Sequence, residues 1–163
     1  MRTRRIAREA AVQALYQCDT CNDWSAELVD LFFEQFIQVT ESQHSAENTL
    51  FAKKAINGAI NHLDFIDQLI NESSIHWQVS RMSRVDRNIL RLAVYEICFE
   101  PEIPSSVSIN EGIELAKRFG AHDSANFVNG VLDKAARTIA TDPLRVESLE
   151  SASSGLKLVS NAS

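Results

Sequence analysis

Residues 83–99 constrain this chain more than any other stretch. Val85, Ile89, Leu90, Leu92, Ala93, Val94 and Ile97 recur with a helical period. At about 100° per residue they cover most of a helix's circumference, so other elements must surround this helix on nearly every side. Ser83 is its expected N-cap, with Asp86 at the third helical position. That is a capping-box variant, and the acid also suits the positive end of the helix dipole. Arg84, Arg87, Arg91 and Tyr95 form a polar strip, and Glu96 projects from the middle of the apolar arc. A carboxylate buried there needs a partner, and an arginine or a helix N-terminus fits better than a catalytic role. The arginine strip reads as pairing with acids of neighbouring helices rather than as a second basic patch.

The rest of the chain supplies the surrounding helices. Ala7, Ala11, Ala14, Leu15 and Cys18 set the buried stripe of a first helix over about 3–19. Ser25 caps a second over about 26–39, with Leu28, Leu31, Phe32, Phe36 and Val39 as its apolar face. A long third helix is expected over about 47–71, where Gly58 costs about 1 kcal/mol against Ala and so marks a close helix crossing. Trp77, Val79 and Met82 are expected to dock a short turn between two halves of the fold. Pro101 and Pro104 close the helix over 84–99. The next helix starts near Ser105 or Ser106 and ends at Gly120, a suitable C′ residue. The last starts near Asp123 or Ser124 and runs to about 140, with Val128, Val131, Leu132, Ala135 and Ile139 inward. Residues 141–163 are Ser/Ala-rich and weakly periodic, and read as a flexible tail in which 156–159 could dock transiently. With only five Gly and three Pro, tight-turn architectures are disfavoured and no strand signal competes. The fold class is all-α, with about six or seven helices.

Several function classes have no footing in these residues. There is no Gly-rich phosphate loop, no HExxH and no GxSxG. His44, His62, His76 and His122 lack metal-ligand spacing, and Cys18-x-x-Cys21 has no second pair to complete a zinc site. No catalytic constellation, metal or cofactor is expected. The three cysteines are an odd number that suits free thiols in a reducing cytoplasm, and no apolar run of 18 residues would span a membrane.

The charge distribution is more informative. Arg2, Arg4, Arg5 and Arg8 precede the first acid, Glu9. The chain carries a net charge of -6; without these four arginines, 12 Lys+Arg face 22 Asp+Glu, a balance of -10. Segregated charge attracts a polyanion at short range. Helical projection places Arg5, Arg8, Val12 and Tyr16 on one flank, a layout able to hold phosphates and offer an aromatic face to a base. A solvated basic end with a core-edge tyrosine explains the same pattern, and charge alone does not choose between them.

Three segments carry a family resemblance: 4–16 (RRIAREAAVQALY), 83–96 (SRVDRNILRLAVYE), and 103–136, which contains INEGIELAKRFG and FVNGVLDK. In this order they resemble the NusB family of bacterial transcription antitermination factors, across about residues 4–136. The resemblance implies one NusB-like helical domain over 1–140, built as two three-helix subdomains (about 1–75 and 76–140) packed together. It implies pairing with ribosomal protein NusE, binding of single-stranded boxA-type RNA, and a place in the RNA polymerase antitermination complex on ribosomal RNA operons. By position, Arg2, Arg4, Arg5 and Arg8 match the family's RNA-binding arm. Tyr16 matches a tyrosine near both RNA and NusE, and Asp86 an acid on the NusE-facing surface. Asp123, Ser124 and Phe127 match the helix start beside RNA, where Asn126 replaces a frequent lysine; Lys117 or Arg118 would compensate. Each has a structural alternative: Asp86 and Asp123 as helix-cap acids, Phe127 as core. A protein–protein adaptor without intrinsic RNA affinity and a homodimer hiding the arm also remain open. Four phosphate contacts from the arm would give a log K against log salt slope of about -3 on single strands.

Overall fold

A computed structural model describes residues 2–40 and 46–148, with side chains from 4–35 and 46–148. The described residues include seven α-helices and a 3-10 turn, followed by a further helical stretch at 144–148: α1 Arg2–Cys21, α2 Ala26–Thr40, α3 Ala46–Asn61, α4 Leu63–Ser73, the turn Val79–Arg81, α5 Arg84–Phe99, α6 Ser105–Phe119 and α7 Ser124–Thr141. None of these helices is long and apolar enough to cross a membrane.

The helix with apolar residues nearly all round is the central one. α5 buries Asn88 through Glu96 without interruption and packs against α1, α3, α4, α6 and α7. Its limits are those read from its cap, and the Ser83 hydroxyl accepts the Asp86 N–H at 3.1 Å. The reciprocal half of the capping box is not formed: one Asp86 carboxylate oxygen is buried with no hydrogen-bond partner. Gly58 marks the α3–α5 crossing. A Cβ there would lie 2.2 Å from the Tyr95 ring, so the aromatic ring occupies the notch that the missing side chain leaves. Tyr95 is anchored by donating its hydroxyl to Glu100 at 2.8 Å. Burial, then that carboxylate, push its phenol pKa upward.

Several expectations need correction. The single helix over 47–71 is two, α3 and α4, broken at His62. No Gly or Pro marks the break; the His62 ring stacks on Phe99 of α5 at 4.1 Å, so tertiary packing sets the bend there. On α2, Val29 and Phe33 are buried while Leu31 is 46% exposed, a rotation of the expected face. The side chains of Phe36 and Val39 lie outside the described residues. Trp77 does not dock: it is 54% exposed, while Val79 and Met82 are buried. Gly120 is not in the left-handed region (φ -89°); it is required because a Cβ would sit 2.5 Å from the Ser124 Cβ and 2.7 Å from the Ala116 carbonyl oxygen.

The first residues of the expected tail, up to 148, pack on the fold. Residues 144–148 are helical, and Val146 is buried. Arg145 donates two hydrogen bonds of 2.8 Å to Glu72 on α4 and stands over the Phe65 ring. The reading of 156–159 lies outside the described residues.

Candidate nucleic-acid interface

The expected arm is the first turns of α1, and its geometry separates its arginines. Ala7, Ala10, Ala11, Ala14 and Leu15 are buried against the rest of the fold. Arg8 lies on that inward side, 5% exposed. Its Nε and Nη2 donate to Glu96 at 2.9 and 2.7 Å, and Ser108 donates to the same carboxylate at 3.2 Å. This supplies the partner that Glu96 needed. It also corrects the reading of Arg8: its guanidinium is committed to an interior carboxylate, where a phosphate would have to break a buried pair to reach it.

Arg4 and Arg5 face outward and are the accessible part of the arm. Arg4 stands 4.2 Å over the Phe51 ring and 3.5 Å from Glu47, a solvent-exposed acid. Arg5 donates Nε and Nη2 to Glu111 of α6 at 3.0 and 3.1 Å. The Glu111 carboxylate, through that hydrogen bond first and its charge second, raises the Arg5 pKa further and fixes its charge. The side chain of Arg2 lies outside the described residues. Arg5, Arg8, Val12 and Tyr16 are therefore not one accessible flank: Arg8 and Val12 are buried, and Tyr16, 41% exposed, stands about 16 Å up the helix from Arg5.

Arg5 joins Lys117 and Arg118 around a cleft of about 260 Å³ between α1 and α6, floored by Leu115 and edged by Glu9 and Glu114. Arg118 lies 3.5 Å from Glu9, and Lys117 3.4 Å from Glu114. The ion pairs cross reciprocally, Arg5 of α1 to Glu111 of α6 and Arg118 of α6 to Glu9 of α1. The cations are thus partly neutralised, yet Lys117 and Arg118 remain exposed.

A second groove, of about 420 Å³, gathers Asp86, Asp123, Ser124 and Phe127 with Trp77, Arg81 and His122. Phe127 is half-buried against the core, so one side of its ring is committed. Asp123 is exposed and makes no side-chain cap bond. Ser124 is a structural residue here: it is buried, and its hydroxyl accepts the Ala121 N–H at 2.9 Å. Asn126 is exposed beside Phe127. Tyr16 does not line this groove, so the two residues assigned to a protein partner, Tyr16 and Asp86, stand on different elements. The α5 arginines pair as expected for two of three: Arg87 with Asp19 at 2.5 Å, and Arg91 with Asp67 at 2.8 Å and Asp19 at 3.3 Å.

Residues 5–137 match the sequence model of the NusB family. The chain belongs to the NusB family. The transcription antitermination protein NusB of Citrifermentans bemidjiense is 46% identical over 141 residues, 85% of this chain and 97% of that protein. That of Myxococcus xanthus is 42% identical, over 83% and 96%. Among solved structures, T. maritima NusB superposes with a TM-score of 0.72 at 38% identity, covering 82% of this chain and 90% of that one. A structure of the antitermination factors NusB and NusE in complex with double-stranded RNA superposes with a TM-score of 0.73 at 28% identity, over 85% and 98%. As a family member the chain is an all-helical transcription antitermination factor.

Sequence reasoning missed Trp77, Arg81 and Glu111 as members of these surfaces. Trp77 and Arg81 sit in an aperiodic stretch that offers no facing signal. Glu111 did leave one: with Ser108 and Leu115 it keeps the inward spacing of α6, as Glu96 does on α5.

Proposed function

We propose that this chain pairs with ribosomal protein NusE and binds boxA-type RNA as a single strand, supporting antitermination in ribosomal RNA operons as part of the RNA polymerase antitermination complex. The observation that carries the reading is the match over nearly the full length of a NusB that was solved together with NusE and RNA. The surfaces fit the chemistry. Arg5, Lys117 and Arg118 offer exposed cations and Arg4 a half-buried one to phosphates, and Tyr16 and Phe127 offer partly open rings on which unpaired bases stack. Single-stranded RNA is favoured over a duplex because stacking needs splayed bases. NusE is assigned to Asp86 and Tyr16.

One observation favours the adaptor reading, in which RNA affinity comes only from the pair: each described arm arginine already faces a carboxylate. The same experiment separates the two. RNA binding is measured with and without NusE, using single-stranded boxA-type RNA and its duplex, across a salt series. With Arg8 committed inward, the three remaining arm contacts predict a slope of about -2.1 on single strands rather than -3. A protein that neither captures NusE nor binds RNA in its presence overturns the proposal. RNA binding only with NusE selects the adaptor form.

A further inference from the structure

The Arg5–Glu111 pair has a geometry that the other arm contacts lack. A guanidinium presents five N–H groups in a planar fork. Glu111 takes one edge of that fork, Nε and Nη2. The two N–H groups of Nη1 and the second of Nη2 make no other hydrogen bond to a described residue. The two partners differ in exposure: the Arg5 side chain is 46% exposed and that of Glu111 only 10%. The carboxylate is therefore the fixed member, set in the inward face of α6 beside Gly112 and Leu115, and the arginine is the member that meets solvent. Arg8 uses the same edge toward Glu96 but is buried on both sides. Arg5 itself lines the α1–α6 cleft.

We propose that Glu111 is a positioning residue for RNA: it holds the Arg5 fork by one edge so that the other edge grips a single phosphate at the α1–α6 cleft. This rests on the reading of the arm as an RNA grip. A phosphate can accept two parallel N–H donors from one guanidinium edge, and a fork already oriented loses less rotamer freedom on binding. The neighbouring carboxylates Glu9 and Glu114 stand on the cleft's edge.

The test is binding of a labelled single-stranded boxA-type RNA by the full chain with NusE at fixed salt. Arg5→Ala is expected to weaken binding about tenfold, the size of a lost charge-assisted contact. Arg5→Lys keeps the charge and the tie to Glu111 but has no second edge, so it is expected to lose about fivefold. Glu111→Gln is expected to lose about threefold, and to lose nothing further in an Arg5→Ala background. If Arg5→Ala binds like wild type, the arm reading itself fails. If Arg5→Ala weakens binding while Arg5→Lys does not, a point charge is enough and only this inference fails. An additive double mutant, or tighter binding by Glu111→Gln, makes Glu111 a competitor and overturns it as well. Arg5→Lys decides the matter even where Glu111→Gln lowers the melting temperature.

Discussion

Arg5 and Arg8 are three residues apart on α1, and each makes a bidentate pair with a glutamate of the same domain. One pair is a structural member and the other a surface device. The difference is position on the helix: Arg8 shares the inward face with Ala11, Val12 and Leu15, while Arg5 lies outside it. For Arg8, removal from water makes its carboxylate indispensable. For Arg5, solvent screens the attraction and leaves half of the fork available. A basic cluster in sequence is therefore not a unit; each cation takes its role from its angle on the helix.

The largest expected effect comes from breaking the inward pair. Arg8→Ala leaves Glu96 buried without its counter-charge and should cost about 3–5 kcal/mol of unfolding free energy in denaturant titration. Replacing both partners with apolar residues (Arg8→Met with Glu96→Leu) should recover most of that loss, since the pair itself has little net worth against a packed alternative. A double variant as unstable as the single would show that Arg8 acts through something other than Glu96.

A second inward cluster gives an intermediate case. Asp19 accepts hydrogen bonds from Arg87 at 2.5 and 2.6 Å and from Asn88 at 2.9 Å. Asp19→Ala should cost about 2–3 kcal/mol, less than Arg8→Ala because Arg91 keeps Asp67. Burial alone would push the Asp19 pKa up, but the Arg87 and Asn88 hydrogen bonds prevail and hold it below the ordinary carboxylate range. The sign follows: the stabilisation is present above the unfolded pKa of about 3.9 and is lost as pH falls through the lower folded value. Acid unfolding below about pH 4 should therefore be shallower in Asp19→Ala than in wild type.

The smallest effect is the outward pair. Arg5→Ala should change stability by no more than about 1 kcal/mol. The Arg5–Glu111 coupling in a double-mutant cycle should shrink as salt rises from about 0.1 to 1 M, where the screening length falls from about 10 to 3 Å. The Arg8–Glu96 coupling should hardly respond. Equal salt sensitivity of both would erase the distinction between them.

Much of this was legible in the chain. The limits of α5, the cap at Ser83, the close crossing at Gly58 and the need of Glu96 for a partner follow from period and polarity. The partner was legible as well: Arg8 stands three, four and seven residues before Ala11, Val12 and Leu15, which is the inward spacing. The neighbouring charges mask that spacing. The break at His62 and the rotation of α2 were not legible, because their cause lies in contacts with remote elements rather than in a local breaker. The candidate surface was legible in its residue types but not in its division. Arg5, Lys117 and Arg118 meet at one cleft, while Asp86, Asp123 and Phe127 meet at another.

The Tyr95 ring in the Gly58 notch has a consequence for alignment. α3 meets α5 at that notch, and α5 carries α6 and α7 on its other sides. A slip of α3 along α5 by one residue, about 1.5 Å, or by a full turn, about 5.4 Å, drives a Cβ into the ring. The notch therefore works as a detent that indexes the first helices against the last. Through it, one absent methyl group sets the register of α3, on which α1 packs, against the central helix.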